Sequence, residues 1–121
     1  MTESERPSDR RIHDRYPVTW AVDCQTEETF LYAFITNISE LGIFVKTTEP
    51  LALGTELALS FAPPGKEPFK LRGAVAWINP ARIGDSNPGM GIRFLDLTLE
   101  ERERIVDVVK TVAYVRAPQK N

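Results

Sequence analysis

Short runs in which apolar and polar residues alternate dominate this chain from residue 17 to residue 95. In the first run, Val18, Trp20, Val22 and Cys24 fall on one face of an extended segment, which is the period-two pattern of a half-buried strand. Five further runs are bounded by turn residues, at 29–38, 42–47, 57–61, 69–77 and 89–95. Regularly spaced short strands of this kind predict an antiparallel barrel or sandwich.

The fifth run is the longest of the six. Its apolar residues Phe69, Leu71, Val75 and Trp77 are expected to line one side of the strand. Gly73 lies between them and predicts a bend or bulge, because an interior glycine often marks such an irregularity.

A helix is predicted to close the chain. Thr98 followed by Glu101 forms a capping box, in which the hydroxyl and the carboxylate each accept a hydrogen bond from an otherwise unpaired amide. Apolar residues then recur at helical spacing, at Ile105, Val106, Val109, Val112 and Ala113. The fold class is therefore mainly β, with a C-terminal α-helix packed on the strands or on a partner.

Composition limits the classes of function. The chain has 121 residues, 42% of them hydrophobic, a formal net charge of −2 and a pI near 5.4. We expect one domain, without the broad positive field that binding to nucleic acid polymers or anionic membranes requires. The single cysteine, Cys24, excludes an intramolecular disulfide, and no apolar run approaches the length of a membrane span. These features predict a soluble, cytoplasmic protein without membrane insertion.

Arginines are concentrated before the first strand. Four of the ten lie in the first fifteen residues, where there is no lysine, and Arg11 and Arg15 form an R-x-x-x-R pair directly before the strand. A guanidinium fork grips phosphate bidentately, matches the O6/N7 edge of guanine and stacks on planar rings. Arg6 and Arg10 share the spacing, so the pair alone also fits arginines that only solvate a polar, flexible arm.

A second motif follows Arg15 by twenty-two residues. The segment 37–42 reads N-I-S-E-L-G, or N-x-S-x-x-G, between the second and third predicted strands. Asn, Ser and Gly are ordinary turn residues. A turn that displays an amide, a hydroxyl and backbone N–H groups is also a cradle of donors for guanine edges or phosphate oxygens.

The two motifs in this order, with a strand between them, resemble the signature of the PilZ domain family. The resemblance extends to the segments G-A-V-A-W at 73–77 and G-M-G-I-R-F at 89–94 and to the closing helix, roughly residues 10 to 115. It implies a six-stranded antiparallel β-barrel with a C-terminal α-helix. We accordingly divide the chain into a flexible N-terminal arm at 1–9, a PilZ domain at 10–116 and a tail at 117–121.

The resemblance also implies a function, that of a receptor for the bacterial second messenger cyclic di-GMP. By this likeness Arg11 and Arg15 grip guanine and phosphate groups, and Arg10 is an auxiliary phosphate contact. Asn37 and Ser39 bond a guanine edge, and Gly42 permits the turn. The next position, often a second glycine in the family, is Ile43 here, which we treat as a tolerated variation. Binding would order the arm and change the surface shown to a protein partner that controls motility, pili or exopolysaccharide.

The sequence gives little support for an enzymatic function. We predict no catalytic residues, no metal site and no cofactor beyond the ligand. His13 is the only histidine and lies in the arm, and the acidic run at Glu100, Glu101 and Glu103 fits a helix start better than acid/base chemistry. The chain has no glycine-rich phosphate loop and no cluster of metal ligands.

Two other classes remain. One is a PilZ-like adaptor that binds no nucleotide and works through Phe44, strand edges or the apolar face of the helix. The other is a small barrel that stacks single-stranded nucleic acid on Trp20, Tyr32 and Phe34, although the acidic composition and the alternation of these rings favour core packing for them. The sequence leaves monomer and homodimer equally open.

Overall fold

The computed structural model describes residues 14–81 and 87–116, apart from the side chains of residues 115 and 116. Six strands and one helix follow in the predicted order. They are β1 (Tyr16–Gln25), β2 (Phe30–Ile38), β3 (Gly42–Lys46), β4 (Glu56–Phe61), β5 (Phe69–Asn79), β6 (Gly89–Leu95) and α1 (Leu99–Arg116). The predicted mainly β class is confirmed.

The strands close into a barrel in the order β1-β2-β3-β6-β5-β4, and every neighbouring pair is antiparallel. Closure distinguishes the barrel from the sandwich that the strand pattern also allowed. Contact between β1 and β4 completes the ring, with Cys24 opposite Leu59. Side chains of consecutive residues therefore point alternately into the barrel and out of it.

The barrel interior is a single apolar core. Its fully buried members include Ile35, Ile43, Leu59, Ile92 and Ile105, the last contributed by α1. The ring of Phe61 stacks on those of Phe69 and Trp20, with centroid distances of 5.2 and 6.4 Å. Ile43, the departure from the usual family glycine, is completely buried in this core.

The strand register shifts at three places, between Pro17 and Trp20 in β1 and within β2 and β5. The shifts in β2 and β5 decide which side chains of the site face outward. In β2, Ile35 pairs with Val45 and Asn37 with Phe44, so Thr36 is an extra residue relative to β3. In β5, Val75 pairs with Ile92 and Trp77 with Gly91. The register shift in β5 therefore lies between Val75 and Trp77, whereas Gly73 keeps the regular pairing.

The shift in β5 corrects one prediction. Val75 faces the core, as expected, whereas Trp77 is 43% exposed on the outer wall. A bulge between two residues reverses the facing of every residue beyond it. Trp77 therefore does not share the side of Phe69, Leu71 and Val75.

The helix begins as the capping box predicts. The amide of Glu101 donates to Thr98 Oγ1, and the amide of Thr98 donates to a carboxylate oxygen of Glu101, both at 3.0 Å. Beyond this cap, Ile105, Val108, Val109 and Ala113 are buried. Among the residues described, no helix has the length and apolar character needed to cross a membrane.

Candidate ligand-binding site

The two sequence motifs meet at one point of the barrel wall. Arg15 immediately precedes β1, and its Nη1 donates a 3.0 Å hydrogen bond to Oδ1 of Asn37 in β2. Pairing of Pro17 with Asn37 across the two strands brings the groups together. Arg10 and Arg11 lie outside the described residues, so Arg15 is the predicted site arginine that the structure places.

The extra residue Thr36 is what turns Asn37 outward. Upstream of it, Phe34 faces out and Ile35 faces in. Strict alternation would then place residue 37 inside, but the bulge shifts the alternation by one, and Asn37 lies opposite Phe44, whose neighbours Ile43 and Val45 face the core. The amide thus stands on the outer wall beside Arg15, and Ile38 returns to the core.

Ser39 organises the turn between β2 and β3. Its side chain is 2% exposed, and its Oγ accepts a 3.2 Å hydrogen bond from the amide of Leu41. The amide of Ser39 donates to the carbonyl oxygen of Gly42 at 2.9 Å, and its hydroxyl approaches the same oxygen at 3.5 Å. The hydroxyl therefore holds the turn closed from within, which differs from the open display of donors that the sequence predicts.

Gly42 is required for a reason other than backbone rotation. It does not adopt a left-handed backbone conformation; within residues 14–81 and 87–116 the glycines with positive φ are Gly54 and Gly65. A β-carbon at residue 42 would instead collide with the carbonyl oxygen of Ile92 in β6. The absence of a side chain lets β3 and β6 approach at the point where Gly42 pairs with Arg93.

The turn is further tied to β6 and to α1. The carbonyl oxygen of Leu41 accepts a 3.0 Å hydrogen bond from the amide of Phe94. Glu40 lies 3.7 Å from Nη1 of Arg102 on the helix. These contacts join the turn beside the Arg15 and Asn37 pair to β6 and to α1.

An aromatic pair extends the site along the outer wall. Phe44, opposite Asn37, stacks on Trp77 with a ring-centroid distance of 5.1 Å. Phe44 itself is only 1% exposed, so Trp77 is the member of the pair that a ligand or partner can reach. The indole lies across Gly91, where any β-carbon would collide with it, and Gly89 leaves the same kind of space for Phe44. From Asn37 on β2 to Trp77 on β5 the row spans three strand spacings, about 14 Å.

Sequence reasoning missed Trp77 as a site residue, because the bulge that turns it outward leaves no trace in the hydrophobic pattern. The glycines at 89 and 91 were the available signal, since alternate glycines in a strand mark places where another group approaches closely. Arg93 also faces outward, opposite Gly42, and adds an exposed guanidinium next to this row.

Partial burial lowers the pKa of Arg15. An arginine remains charged at neutral pH even so, because its ordinary pKa lies far above 7. The side chain of Arg15 remains exposed to solvent, so an anion can reach the guanidinium beside Asn37. The site is thus suited to a planar, negatively charged ligand with hydrogen-bonding edges.

A surface groove of about 680 Å³ lies elsewhere, between α1 and the loop before β5. Its lining carries the carboxylates of Glu67, Glu100, Glu103 and Asp107. The two cations there are already held, Lys66 by Asp107 at 2.8 Å and Arg104 over the ring of Phe69. This groove does not suit an anion.

The aromatic residues weighed for nucleic acid binding separate into two groups. Trp20 packs against the core, as the alternation predicts. Tyr32 and Phe34 are 61% and 45% exposed on the outer wall, so the expectation that they pack in the core is wrong. Across residues 14–81 and 87–116, no group of three or more His, Cys, Asp or Glu side chains is placed to hold a metal ion.

Comparison with known proteins identifies a family and several structures that share this fold. The family model of the PilZ domain matches residues 9–111, whereas no curated protein sequence matches the chain. The Bacillus subtilis inhibitor of motility MotI/DgrA has the same fold, with a TM-score of 0.72 and 19% identity over 89% of this chain and 53% of that one. This chain therefore spans about half the length of MotI/DgrA.

Two isolated PilZ domains are also similar. That of YcgR from Escherichia coli, solved with c-di-GMP, gives a TM-score of 0.71 and 15% identity over 88% of this chain and 93% of that one. That of CeSA from a cellulose-synthesizing bacterium gives 0.59 and 17% identity, covering 86% and 99%. At these identities the structural likeness establishes the shared fold.

Proposed function

The chain belongs to the PilZ domain family, and from this premise we propose that it is a receptor for cyclic di-GMP. The observation that carries the proposal is the hydrogen bond between Arg15 and Asn37, which unites the two family motifs in one place. In this arrangement Asn37 Oδ1 is occupied by the guanidinium, so the amide offers its N–H groups to a ligand. Guanine presents acceptors at O6 and N7, which such donors match.

We assign roles to the remaining site residues by their chemistry. Arg15 keeps further N–H donors for a phosphate oxygen, and Arg10 and Arg11 supply additional guanidinium groups from the segment before it. Ser39 and Gly42 act indirectly, because they fix the turn that holds Asn37 in place. Trp77 offers an exposed face on which a purine can stack, and Arg93 lies close enough to the row to counter a second phosphate.

Signalling follows from the position of the site at the start of β1. The ligand would contact both the barrel wall and the arginines of the preceding segment, and would thereby order that segment against the wall. The changed surface would then be recognised by a protein partner in a pathway such as motility, pilus function or exopolysaccharide synthesis. In this role the protein is a receptor and adaptor, and binding requires no catalytic group.

Isothermal titration calorimetry of the full chain with cyclic di-GMP tests the proposal. We expect saturable binding for the wild type and a loss of about 1 to 3 kcal/mol in Arg15→Ala, the value of a lost charge-assisted contact. Lys70→Ala is the matched control, since it removes an exposed cation from the barrel wall away from the site. Absence of binding would contradict the receptor role and favour an adaptor that works through protein contacts alone.

A further inference from the structure

Three aromatic side chains form a continuous exposed stripe on the outer wall of β2. Phe30, Tyr32 and Phe34 alternate with the inward-facing Leu31, Ala33 and Ile35, and they are 61%, 61% and 45% exposed. The rings of Tyr32 and Phe34 meet edge to face with centroids 5.9 Å apart. We call these three residues the aromatic stripe. Exposed apolar surface of this kind marks interaction sites when its members are contiguous.

The surroundings of the aromatic stripe limit what can cover it. On the β1 side its neighbours across the strands are Ala21 and Asp23, which pair with Phe34 and Tyr32. The turn before Phe30 carries the exposed carboxylates of Glu27 and Glu28. A polyanion such as single-stranded nucleic acid would meet three carboxylates around the rings, an arrangement that repels it.

The aromatic stripe has opposite charges at its two ends. Lys46 on β3 is exposed and pairs with Phe34, whereas Glu27 and Glu28 adjoin Phe30 at the other end. Arg72 lines a groove with these two carboxylates but is already paired with Glu56 and Asp96, and Lys70 on β5 lines the groove beside Phe30 and Asp23. Between Phe30 and Phe34 the strand advances by about 13 Å. A surface that is basic at one end and acidic at the other is complementary to itself when a second copy is turned through 180°.

We propose that the aromatic stripe is the contact surface of a symmetric homodimer. In this dimer a two-fold axis passes near Tyr32, so that Tyr32 of each copy faces its equivalent and Phe34 lies over Phe30 of the second copy. The Lys46 end of each copy then lies over the acidic turn of the other. Such an interface is isologous, the commonest kind in homodimers.

The area of the aromatic stripe places the proposed dimer among small, weak interfaces. Large aromatic side chains bury 150 to 250 Å² each, so the exposed parts of the three rings amount to roughly 300 to 400 Å² per copy. With the flanking small residues, the total for two copies falls at the lower end of specific interfaces, about 1,000 Å². The dimer is therefore weak, with association at roughly 10 to 100 μM.

Sedimentation velocity of the full chain, without nucleotide, over a series from about 10 μM to 1 mM tests this dimer. The wild type should shift from monomer to dimer across the series, whereas Tyr32→Glu should raise the dissociation constant at least tenfold, because two carboxylates would face each other at the axis. Tyr114→Glu is the matched control, since Tyr114 is 69% exposed on α1 and lies outside the stripe. It should dimerise like the wild type.

Charge exchange tests the antiparallel arrangement without altering the rings. Lys46→Glu and the double variant Glu27→Lys/Glu28→Lys should each self-associate more weakly than the wild type, and an equimolar mixture of the two should recover association. A wild type that stays monomeric at 1 mM, or a mixture no better than its components, overturns the proposal. Saturable binding of a fluorescent oligothymidine that Tyr32→Glu abolishes would likewise overturn it, in favour of nucleic acid as the occupant of the stripe.

Discussion

Nη1 of Arg15 donates a hydrogen bond of 3.0 Å to Oδ1 of Asn37, a residue twenty-two positions further along the chain. The contact depends on two features of the barrel, the pairing of Pro17 with Asn37 and the extra residue Thr36 that turns Asn37 outward. An arginine just before a strand and an asparagine just before a turn thereby become neighbours on one wall.

Arg15→Lys should bind cyclic di-GMP more weakly than the wild type but more tightly than Arg15→Ala. Lysine keeps the positive charge and loses the planar fork that serves Asn37 and a phosphate at once. We expect the dissociation constant to rise about tenfold for lysine and up to about 100-fold for alanine, measured by calorimetry at one fixed salt concentration. Equal affinities for Arg15→Lys and the wild type would show that only charge matters at this position.

Gly42→Ala should destabilise the barrel because its β-carbon would collide with the carbonyl oxygen of Ile92. Backbone atoms on both sides must move, so we expect a loss of about 3 kcal/mol in the free energy of unfolding, measured by urea denaturation. Gly65→Ala is the control. Residue 65 has φ of 74° and open space around it, so its cost should be only the backbone strain, about 1 kcal/mol. Equal costs would contradict the close-approach role of Gly42.

Thr98→Ala should lower the free energy of unfolding by about 1 kcal/mol, because it leaves the amide of Glu101 without the hydroxyl acceptor. The control is Thr111→Ala, which removes a hydroxyl that bonds the carbonyl of Asp107 within the same helix. That change should be neutral or slightly stabilising, since alanine has the higher helix propensity. A similar loss in both variants would show that the cap is not the source of the effect.

Burial, with the neighbouring Asp23 carboxylate as a smaller cause, raises the pKa of the Cys24 thiol to about 12, from an ordinary value of 9.0. The folded state therefore holds the proton more tightly than the unfolded chain. This contribution to stability is complete below pH 9 and is lost as pH rises from 9 toward 12. Relative to Cys24→Ala, the free energy of unfolding of the wild type should fall by up to about 1.4 kcal/mol per pH unit in that range.

Urea denaturation at pH 8, 9, 10 and 10.5 measures this difference. Cys24→Ala is less stable throughout, because it leaves a small cavity, but the comparison concerns the slope with pH and not the absolute value. Parallel slopes for the two proteins would contradict the raised pKa. Iodoacetamide should correspondingly modify Cys24 far more slowly in the folded protein than in urea, since the thiolate is the reactive form.

Much of the fold could be predicted from the sequence because the barrel enforces a strict alternation. Val22, Cys24, Leu57 and Leu59 follow the period-two pattern and are buried as it predicts. The helix start at Thr98 could be predicted equally well, because a capping box depends only on residues close together in the sequence. The helix cap depends on residues that are close in the sequence, and the burial of the strand residues depends on a two-residue period.

The facing of residues around the bulges could not be predicted in the same way. Trp77 and Asn37 each follow a bulge, where one strand has one residue more than its partner. The alternation of apolar and polar residues along one strand does not show how many residues the partner strand has at that point. Tyr32 and Phe34 were expected in the core because of the acidic composition and the alternation of the rings along the strand, yet the residues that occupy the interior are Ala33 and Ile35. The role of Gly42 likewise depends on β6, fifty residues away, and not on its own turn.

The central claim is that Arg15, Asn37 and the turn after β2 form one ligand site on the outer wall. Mapping of ¹H–¹⁵N chemical shifts during titration of the full chain with cyclic di-GMP tests it most directly. The account predicts saturable shifts at the amides of Tyr16, Asn37 and Leu41, at the Arg15 guanidinium and at the Trp77 indole, with little change at Leu59 across the barrel. Saturable shifts confined to other parts of the wall, or no shifts at millimolar ligand, would contradict it.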